Sequence, residues 1–291
     1  HFVQEEFVRE IYTHSVKADY GIGVEFVGFS SGTLTVNSIN PLADVIFAGD
    51  VRNPGGLVNI MSRDKILQEG NSGVIQGDRV SLSAESGIGT SSLVSASIPT
   101  VNEQRILASS DGSGFRSRAV VNVDSGESAT SYLNATTSSG NVYIEDQTGP
   151  VTLRDVKTNS GGNVVFIASG NISRDSHLYS IQGGQIQVYS KEGAVGNSST
   201  PIQIESGSLT QISSGVLVTA ESLPSDKVVL FAPQGIAVRE LSGDLQLETA
   251  TAISGDVFIH VATGNLFDAN DSAIRDERTY NELKSGVWSD L

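Results

Sequence analysis

The sequence lacks cysteine and holds only one methionine and one tryptophan among its 291 residues. The absence of cysteine excludes disulfide bonds, thiolate zinc sites and cysteine nucleophiles. No run of about 18 apolar residues exists that could cross a membrane as a helix, and no secretory signal is visible. Because the chain begins with His1 and not with an initiator methionine, we expect a processed piece of a longer protein whose export signal lies in the missing part.

Positive charge is also scarce, since 18 lysines and arginines face 33 aspartates and glutamates and leave a formal net charge of −15. Such a chain repels nucleic-acid phosphates and anionic lipid surfaces, so we expect neither nucleic acid nor a membrane as a partner. Aromatic residues make up only 6% of the sequence. This scarcity weighs against a carbohydrate-binding module that presents a row of exposed rings.

Short alternating runs are what the sequence has in abundance. From Val16 to Ala262, segments of about four to six residues alternate apolar and polar side chains and are separated by Gly, Asn, Asp or Ser; examples are residues 33–36, 44–48, 141–144, 163–167 and 256–259. This pattern predicts many short β-strands joined by turns. We expect no helix between these limits.

Two stretches resemble each other at a spacing of 106 residues. Gly55, Ile75 and Gly87 in the first correspond to Gly161, Ile181 and Gly193 in the second. A fixed internal spacing is typical of stacked repeat proteins. We therefore predict an all-β parallel β-helix, a solenoid in which inward aliphatic side chains stack from coil to coil and Gly or Asn occupies the corners.

Coils of roughly 20–25 residues would give about eleven coils and a rod about 50 Å long at the usual strand separation. The 106-residue spacing would then be a unit of four to five coils. The main alternative is a set of two or three β-sandwich domains. A Pro-rich or charged linker between such domains is not visible in the sequence.

The two ends of the chain differ from the middle. We predict a cap or joining segment at residues 1–15, the β-helix at 16–266, and a second, helical cap or joining segment at 267–291. Terminal caps protect the last coil of a solenoid. The apolar side chains that we expect to take part in assembly are Phe2, Phe7, Tyr280, Leu283, Val287 and Trp288.

The order of three phrases resembles the filamentous-haemagglutinin-like repeats of large secreted bacterial adhesins. They are the Gly-Gly-x-Val phrase from Gly162 to Ile172, the Ile-Gln-Gly phrase from Ile181 to Val188, and the Gly-x-Val-Gly phrase that leads from Gly193 to Pro201-Ile202. The resemblance implies a right-handed parallel β-helix in the stalk of a secreted or surface-anchored fibre. It transfers no catalytic residue.

Candidate chemistry is sparse. The four histidines, His1, His14, His177 and His260, have no metal-binding spacing. Glu145-Asp146, Arg154-Asp155 and Asp226-Lys227 are the best local sets for a polysaccharide-cleaving enzyme, but adjacent residues on a strand point to opposite faces. Recurrent Arg-Asp pairs, among them Arg63-Asp64 and Arg174-Asp175, fit either solvated corners or charge pairing between coils. We predict no catalytic residues and no enzyme.

Asp268, Asn270 and Ser272 resemble the beginning of an oxygen-rich Ca²⁺ loop. The glycine and the bidentate glutamate that complete such a loop are replaced by Ala273 and Thr279. We therefore expect no cofactor, with Ca²⁺ at these three residues as the only metal candidate.

The sequence as a whole favours a non-catalytic extracellular or cell-surface module, a structural or adhesive β-helical segment of a bacterial fibre protein that assembles end to end. Its expected partners are copies of itself or adjoining repeats of a longer chain, with surface glycans or a matrix as further ligands. The alternatives are a β-helix lyase or glycosidase and a carbohydrate-binding module.

Overall fold

The computed structural model describes residues 31–47, 49–68, 73–89, 120–159, 161–175, 180–207, 209–211, 217–219 and 226–269. Within these ranges the chain is all-β and contains no helix, which confirms the prediction from the alternating runs. No helix in these ranges has the length and hydropathy of a membrane span.

The strands are short and follow one another closely along the chain. The first eleven are β1 (Thr33–Ser38), β2 (Val45–Phe47), β3 (Val51–Ser62), β4 (Lys65–Gln68), β5 (Ile75–Ala84), β6 (Gly87–Ile88), β7 (Val121–Ser125), β8 (Tyr132–Thr137), β9 (Val142–Asp146), β10 (Val151–Thr158) and β11 (Val164–Ala168). The others are β12 (Ile172–Arg174), β13 (Ile181–Gly183), β14 (Ile186–Ser190), β15 (Ile202–Ser206), β16 (Leu209–Gln211), β17 (Leu217–Thr219), β18 (Lys227–Ala232), β19 (Ile236–Glu240), β20 (Leu245–Ala252), β21 (Val257–Val261) and β22 (Leu266–Asp268).

Twenty of these strands form one parallel sheet that winds into a β-solenoid of about eight coils. Strands inside the stack pair with strands of the preceding and following coil, so Val142 on β9 pairs with Val164 on β11, which pairs with Ile186 on β14. Equivalent positions in these coils, such as Asn141 and Asn163, are 22 residues apart. The predicted parallel solenoid is confirmed, and this spacing agrees with the predicted coil length. The small antiparallel pair of β16 and β17 stands apart from this sheet.

Two stretches interrupt the regular spacing. On β5 and β8, the ladder partners Ser81 and Asn134 are 53 residues apart. Ile204 on β15 pairs with Glu240 on β19, and this step along the chain is also longer than an ordinary coil. The described residues form about eight coils, whereas about eleven were expected for the whole chain, and these two longer steps place residues outside coils of ordinary length.

The 106-residue spacing does not superimpose equivalent positions of the solenoid. Val58 belongs to a ladder with Leu34, Val80 and Leu133, whereas its counterpart Val164 belongs to the ladder of Val142 and Ile186. Ile75 and Ile181 likewise lie on different ladders. The predicted unit of four to five coils is therefore not a structural repeat in register. The similarity reflects the use of the same strand-and-corner pattern on different sides of the coil.

The interior of the solenoid is a continuous aliphatic core. Side chains that share a ladder stack directly on one another, and Val58, Val80, Leu133 and Leu153 are all fully buried. Phe166 is the one phenylalanine of the described residues that is fully buried in this core. Most of the other members are Val, Ile or Leu, whose branched side chains fill a narrow space between short strands.

One part of the sheet that forms the solenoid wall is buried on its inner and its outer face. The outward side chains of β9, β11, β14 and β18, together with Val120 just before β7, form a second apolar cluster on the outside of the wall; its members are Val120, Tyr143, Val165, Ile167, Tyr189, Val229 and Phe231. All seven are at most 5% exposed. The strands that carry them therefore contribute to two cores, which explains why β9, β11 and β14 are buried at every position.

Glycine is required where the corners of successive coils approach closely. Gly140 has a φ of +78°, and a Cβ at this position would overlap the carbonyl oxygen of Ser86 on the preceding coil. Gly243 has almost the same φ, +79°, but no heavy atom lies within 4 Å of the place a Cβ would take. A substitution at Gly243 would therefore carry only the cost of the left-handed backbone. A substitution at Gly140 would carry that cost and also the cost of steric overlap between coils.

We predict that Gly140→Ala destabilises the solenoid by about 2 kcal/mol or more, because strain and overlap add. Gly243→Ala is the matched control and should cost only about 1 kcal/mol, the usual penalty of a positive φ. Urea unfolding of the two variants followed by far-ultraviolet circular dichroism measures the difference. Equal losses of stability in the two variants would contradict the close approach of the coils at Gly140.

Candidate assembly edge

The last described coil ends in an unpaired strand edge. Its strands β21 and β22 pair with β19 and β20 of the preceding coil, and no other strand among the described residues pairs with their far side. In a parallel ladder each strand directs backbone N–H and C=O groups to both sides. This edge therefore presents a row of groups that can pair with another strand.

The aliphatic core is uncovered at the same end. Val257 and Leu266 continue the ladders of Ile236 and Leu245, which are 2% and 0% exposed. Val257 itself is 45% exposed and Leu266 is 54% exposed. Within the described residues the core ends at this coil, and these two inward side chains are about half exposed.

Two phenylalanines enlarge the apolar surface around the open core. Phe258 on β21 and Phe267 on β22 are each 44% exposed. The ring of Phe258 makes an edge contact with the imidazole of His260, with 6.5 Å between the ring centroids. We name the surface formed by Val257, Phe258, Leu266 and Phe267 the C-terminal edge. Clustered exposed apolar side chains of this kind are typical of interaction sites.

The inward leucine of the first described coil is less exposed than the inward side chains of the last one. Leu34 on β1 is only 5% exposed, although β1 pairs with β3 alone among the described strands. Exposed apolar side chains at this end, Ile39, Leu42 and Ile46, lie on β2 or on the connection before it and not in the core. The two ends of the described solenoid are therefore different surfaces.

The acidic pair Glu145-Asp146 does not form a site with two converging carboxylates. Both residues lie on β9, and their side chains point to opposite faces of the wall, as expected for neighbours on a strand. Glu145 points outward and accepts a hydrogen bond from Lys191, with 2.5 Å between Oε1 and Nζ. Asp146 points inward and is fully buried.

Charge pairing between coils occurs at two of the Arg-Asp sequences. Arg154 on β10 donates through Nε to Oδ2 of Asp175 in the next coil at 2.9 Å, and its guanidinium lies 3.5 Å from the ring centroid of Tyr132. Arg63 also reaches the neighbouring coil, where Nε lies 3.3 Å from Oε1 of Glu85. More than half of both of these side chains is exposed, so this second pair contributes little stability.

Most of the residues predicted for assembly or metal binding fall outside the described ranges. These are Phe2, Phe7, Asn270, Ser272, Tyr280, Leu283, Val287 and Trp288, together with His1, His14 and His177. Asp268 is described and lies exposed at the end of β22. Within the described ranges no group of three or more His, Cys, Asp or Glu side chains is arranged to hold a metal ion.

The C-terminal edge itself was not predicted from the sequence. Val257 and Leu266 have the same alternation as the strands before them, and only the pairing of the coils shows that they belong to the last described one. The run of two adjacent apolar residues in Val257-Phe258 and in Leu266-Phe267 was the available signal. The same signal occurs on β11 and β18, whose outward side chains are also apolar, so it does not by itself mark an end coil.

We found no family model, curated protein or solved structure that matches the chain.

We predict that Leu245→Ala and Leu266→Ala lower the free energy of unfolding by very different amounts, although the two leucines are neighbours on one ladder. Leu245 is fully buried, so its truncation should cost about 2–5 kcal/mol. Leu266 is half exposed, and its truncation should cost no more than about 1.5 kcal/mol because less apolar area returns to water. Urea unfolding of the two variants tests the open end of the core. A loss at Leu266 as large as that at Leu245 would contradict it.

Proposed function

We propose that this chain is a non-catalytic extracellular module, a structural or adhesive β-helical segment of a large bacterial surface or fibre protein that assembles end to end. The observation that carries the proposal is that the described core ends at the C-terminal edge with exposed inward side chains and with no further described strand beside them. An open solenoid end combines unpaired backbone groups with exposed apolar side chains, and another solenoid coil supplies partners for both.

The joint that we propose is head to tail. The two ends of a solenoid are different surfaces, so a contact between them is heterologous, and repeated contacts of this kind build a filament. The partner is a second copy of the chain or an adjoining repeat of a longer one. Both would continue the parallel ladder beyond β21 and β22 and cover Val257 and Leu266.

The long polar sides of the rod support the adhesive part of the proposal. Between the corners, the outward face of β5, β8 and β10 carries ladders of polar side chains, with Ser81 beside Asn134 and Ser83 beside Thr136. The Asn134 amide donates to the Ser81 hydroxyl at 3.2 Å. A regular array of hydroxyl and amide groups suits contacts with surface glycans or a matrix, which we propose as ligands of the assembled fibre.

We predict that Val257→Lys weakens end-to-end assembly, because it places a charge in the joint where a second coil must pack. Ser138→Lys is the matched control, since it adds the same charge at an exposed corner in the middle of the rod. Electron microscopy and analytical ultracentrifugation over a concentration series compare the two variants with the wild type. We expect wild type and Ser138→Lys to form rods longer than one chain and Val257→Lys to shorten them at least tenfold.

The same preparations distinguish the proposal from its main alternative. Wild-type protein that stays monomeric at all concentrations, and that releases reducing ends or unsaturated products from a polysaccharide panel, would overturn the structural role and support a β-helix lyase or glycosidase. Equal assembly of Val257→Lys and Ser138→Lys would instead show that the joint lies elsewhere.

A further inference from the structure

Two carboxyl groups lie inside the solenoid, where the core is otherwise aliphatic. Asp146 on β9 and Glu240 on β19 are both fully buried. Asp146 shares its ladder with Val123 and Ala168, and Glu240 shares its ladder with Ile204 and Val261. Burial of an acid among such neighbours is costly unless the group is hydrogen-bonded or keeps its proton.

Each acid has the same partner in the same relative position. Asp146 pairs in register with Val123, and its carboxyl reaches Ser125, two residues further along β7. Glu240 pairs in register with Ile204, and its carboxyl reaches Ser206, two residues further along β15. In both cases the serine is the last residue of its strand. The acid side chain therefore continues the hydrogen bonding between the two coils at the corner where the strand ends.

The hydrogen bonds at the two corners also match. Asp146 Oδ2 accepts from the Ser125 backbone N–H at 3.2 Å and from the Ser125 hydroxyl at 2.6 Å. Glu240 accepts from the Ser206 backbone N–H through Oε1 at 3.0 Å and from the Ser206 hydroxyl through Oε2 at 2.8 Å. A corner amide that would otherwise lack a partner inside the core is satisfied in each case.

We propose that these two acid–serine corners are proton-dependent latches, which hold successive coils together while the acid is protonated and loosen the wall when the proton is lost. A neutral carboxyl group can still accept from the backbone N–H and exchange a hydrogen bond with the serine hydroxyl, and it places no charge in the aliphatic core. A carboxylate at the same place is a charge that the core cannot solvate.

The charged groups around the latches do not relieve this cost. On the strands beside Asp146 the charged side chains are Asp124 on β7, which is also acidic, and Glu145 on β9, which points outward and pairs with Lys191. Beside Glu240 they are Glu205 on β15 and His260 on β21, while Arg239 precedes Glu240 on the same strand and therefore points to the other face. Glu205 accepts from the Ser242 hydroxyl at 2.5 Å.

The direction of the proton equilibrium agrees with the geometry. Burial raises the pKa of Asp146 from 3.8 to about 7 against the opposing hydrogen bonds from Ser125 and Thr148, and the nearby charge of Asp124 raises it further. Burial likewise raises the pKa of Glu240 from 4.5 to about 9 against the hydrogen bonds from Ser206, with a smaller contribution in the same direction from Glu205. A raised pKa in the folded state stabilises the fold below the unfolded-state pKa, and this stabilisation is lost as the pH rises through the folded-state value.

We predict a stability profile with two breaks. Between about pH 5 and 6 the folded chain holds up to two protons that the unfolded chain has lost, so the unfolding constant should rise by up to about a hundredfold per pH unit. Between pH 7 and 9 only the Glu240 proton remains, and the rise should be about tenfold per unit. Urea unfolding at half-unit steps from pH 4.5 to 10 gives this profile.

Two variants assign the breaks to the two acids. Asp146→Asn should reduce the rise below pH 7 to about tenfold per unit, and Glu240→Gln should flatten the profile between pH 7 and 9. Asp256→Asn and Glu192→Gln are the matched controls at exposed positions, and they should leave the wild-type profile unchanged. If Asp146→Asn and Glu240→Gln both left the dependence of stability on pH as it is in the wild type, the latch proposal would be overturned.

Ser125→Ala keeps the proposal testable if Asp146→Asn does not fold. Loss of the hydroxyl removes a hydrogen bond that favours the carboxylate, so the break near pH 7 should move to higher pH. A serine with a merely structural role would instead lower the stability by the same factor at every pH, and that result would contradict the latch. A wild-type profile that is flat between pH 5 and 9 would also overturn the proposal.

Discussion

The stacking of one coil on the next is the interaction on which the rest of this structure depends. A single coil is a few short strands and corners, and alone it could bury neither its aliphatic side chains nor its backbone groups. Stacking achieves both at once, because the ladder that pairs Val142, Val164 and Ile186 also places their side chains in one column of the core. A coil without a neighbour on one side can therefore expose its core and its backbone groups, and the C-terminal edge is the clearest case among the described residues.

The stacking of coils also explains why unusual residues occur where they do. Glycine is needed at Gly140 for two reasons, because its backbone is left-handed and because the corner of one coil meets the carbonyl of another. The two buried acids are tolerated because the serine of the adjacent coil reaches them. The outer apolar cluster on β9, β11, β14 and β18 shows that one side of the wall belongs to two cores. Each feature is a contact between residues about one coil apart, or further where extra residues intervene.

This dependence explains what the sequence could predict. Strand positions, the absence of helix and the coil length follow from alternation and from Gly or Asn at corners, which are local signals; the run from Asn141 to Ile144, for example, became β9. Register is not local. The similarity between the segments around Ile75 and Ile181 was real in sequence, but the two isoleucines lie on different ladders because extra residues between β6 and β7 shift the later coils.

For the site residues, too, the local pattern predicted some features, whereas others depend on the register between coils. Alternation placed Glu145 and Asp146 on opposite faces correctly, yet it could not say which of them points inward, since that depends on the ladder with Val123. Ser125, one coil before Asp146, was present in the sequence as a signal, but serine is common in this chain and one pair carries little information. The open C-terminal edge was hidden for a related reason, because a last coil has the same pattern as an inner one.

The measurement that tests the coil register most directly is disulfide formation between adjacent coils in this cysteine-free chain. Ser81 on β5 and Asn134 on β8 are ladder partners although they are far apart in sequence, so the pair S81C and N134C should close an intramolecular disulfide on mild oxidation. The pair S81C and T136C is offset by two residues, which separates the Cα atoms by about 8 Å and should prevent the bond. Rapid oxidation of the first pair alone is the predicted result. Failure of the first pair to form the bond, or equal oxidation of both, would contradict the register that the solenoid requires.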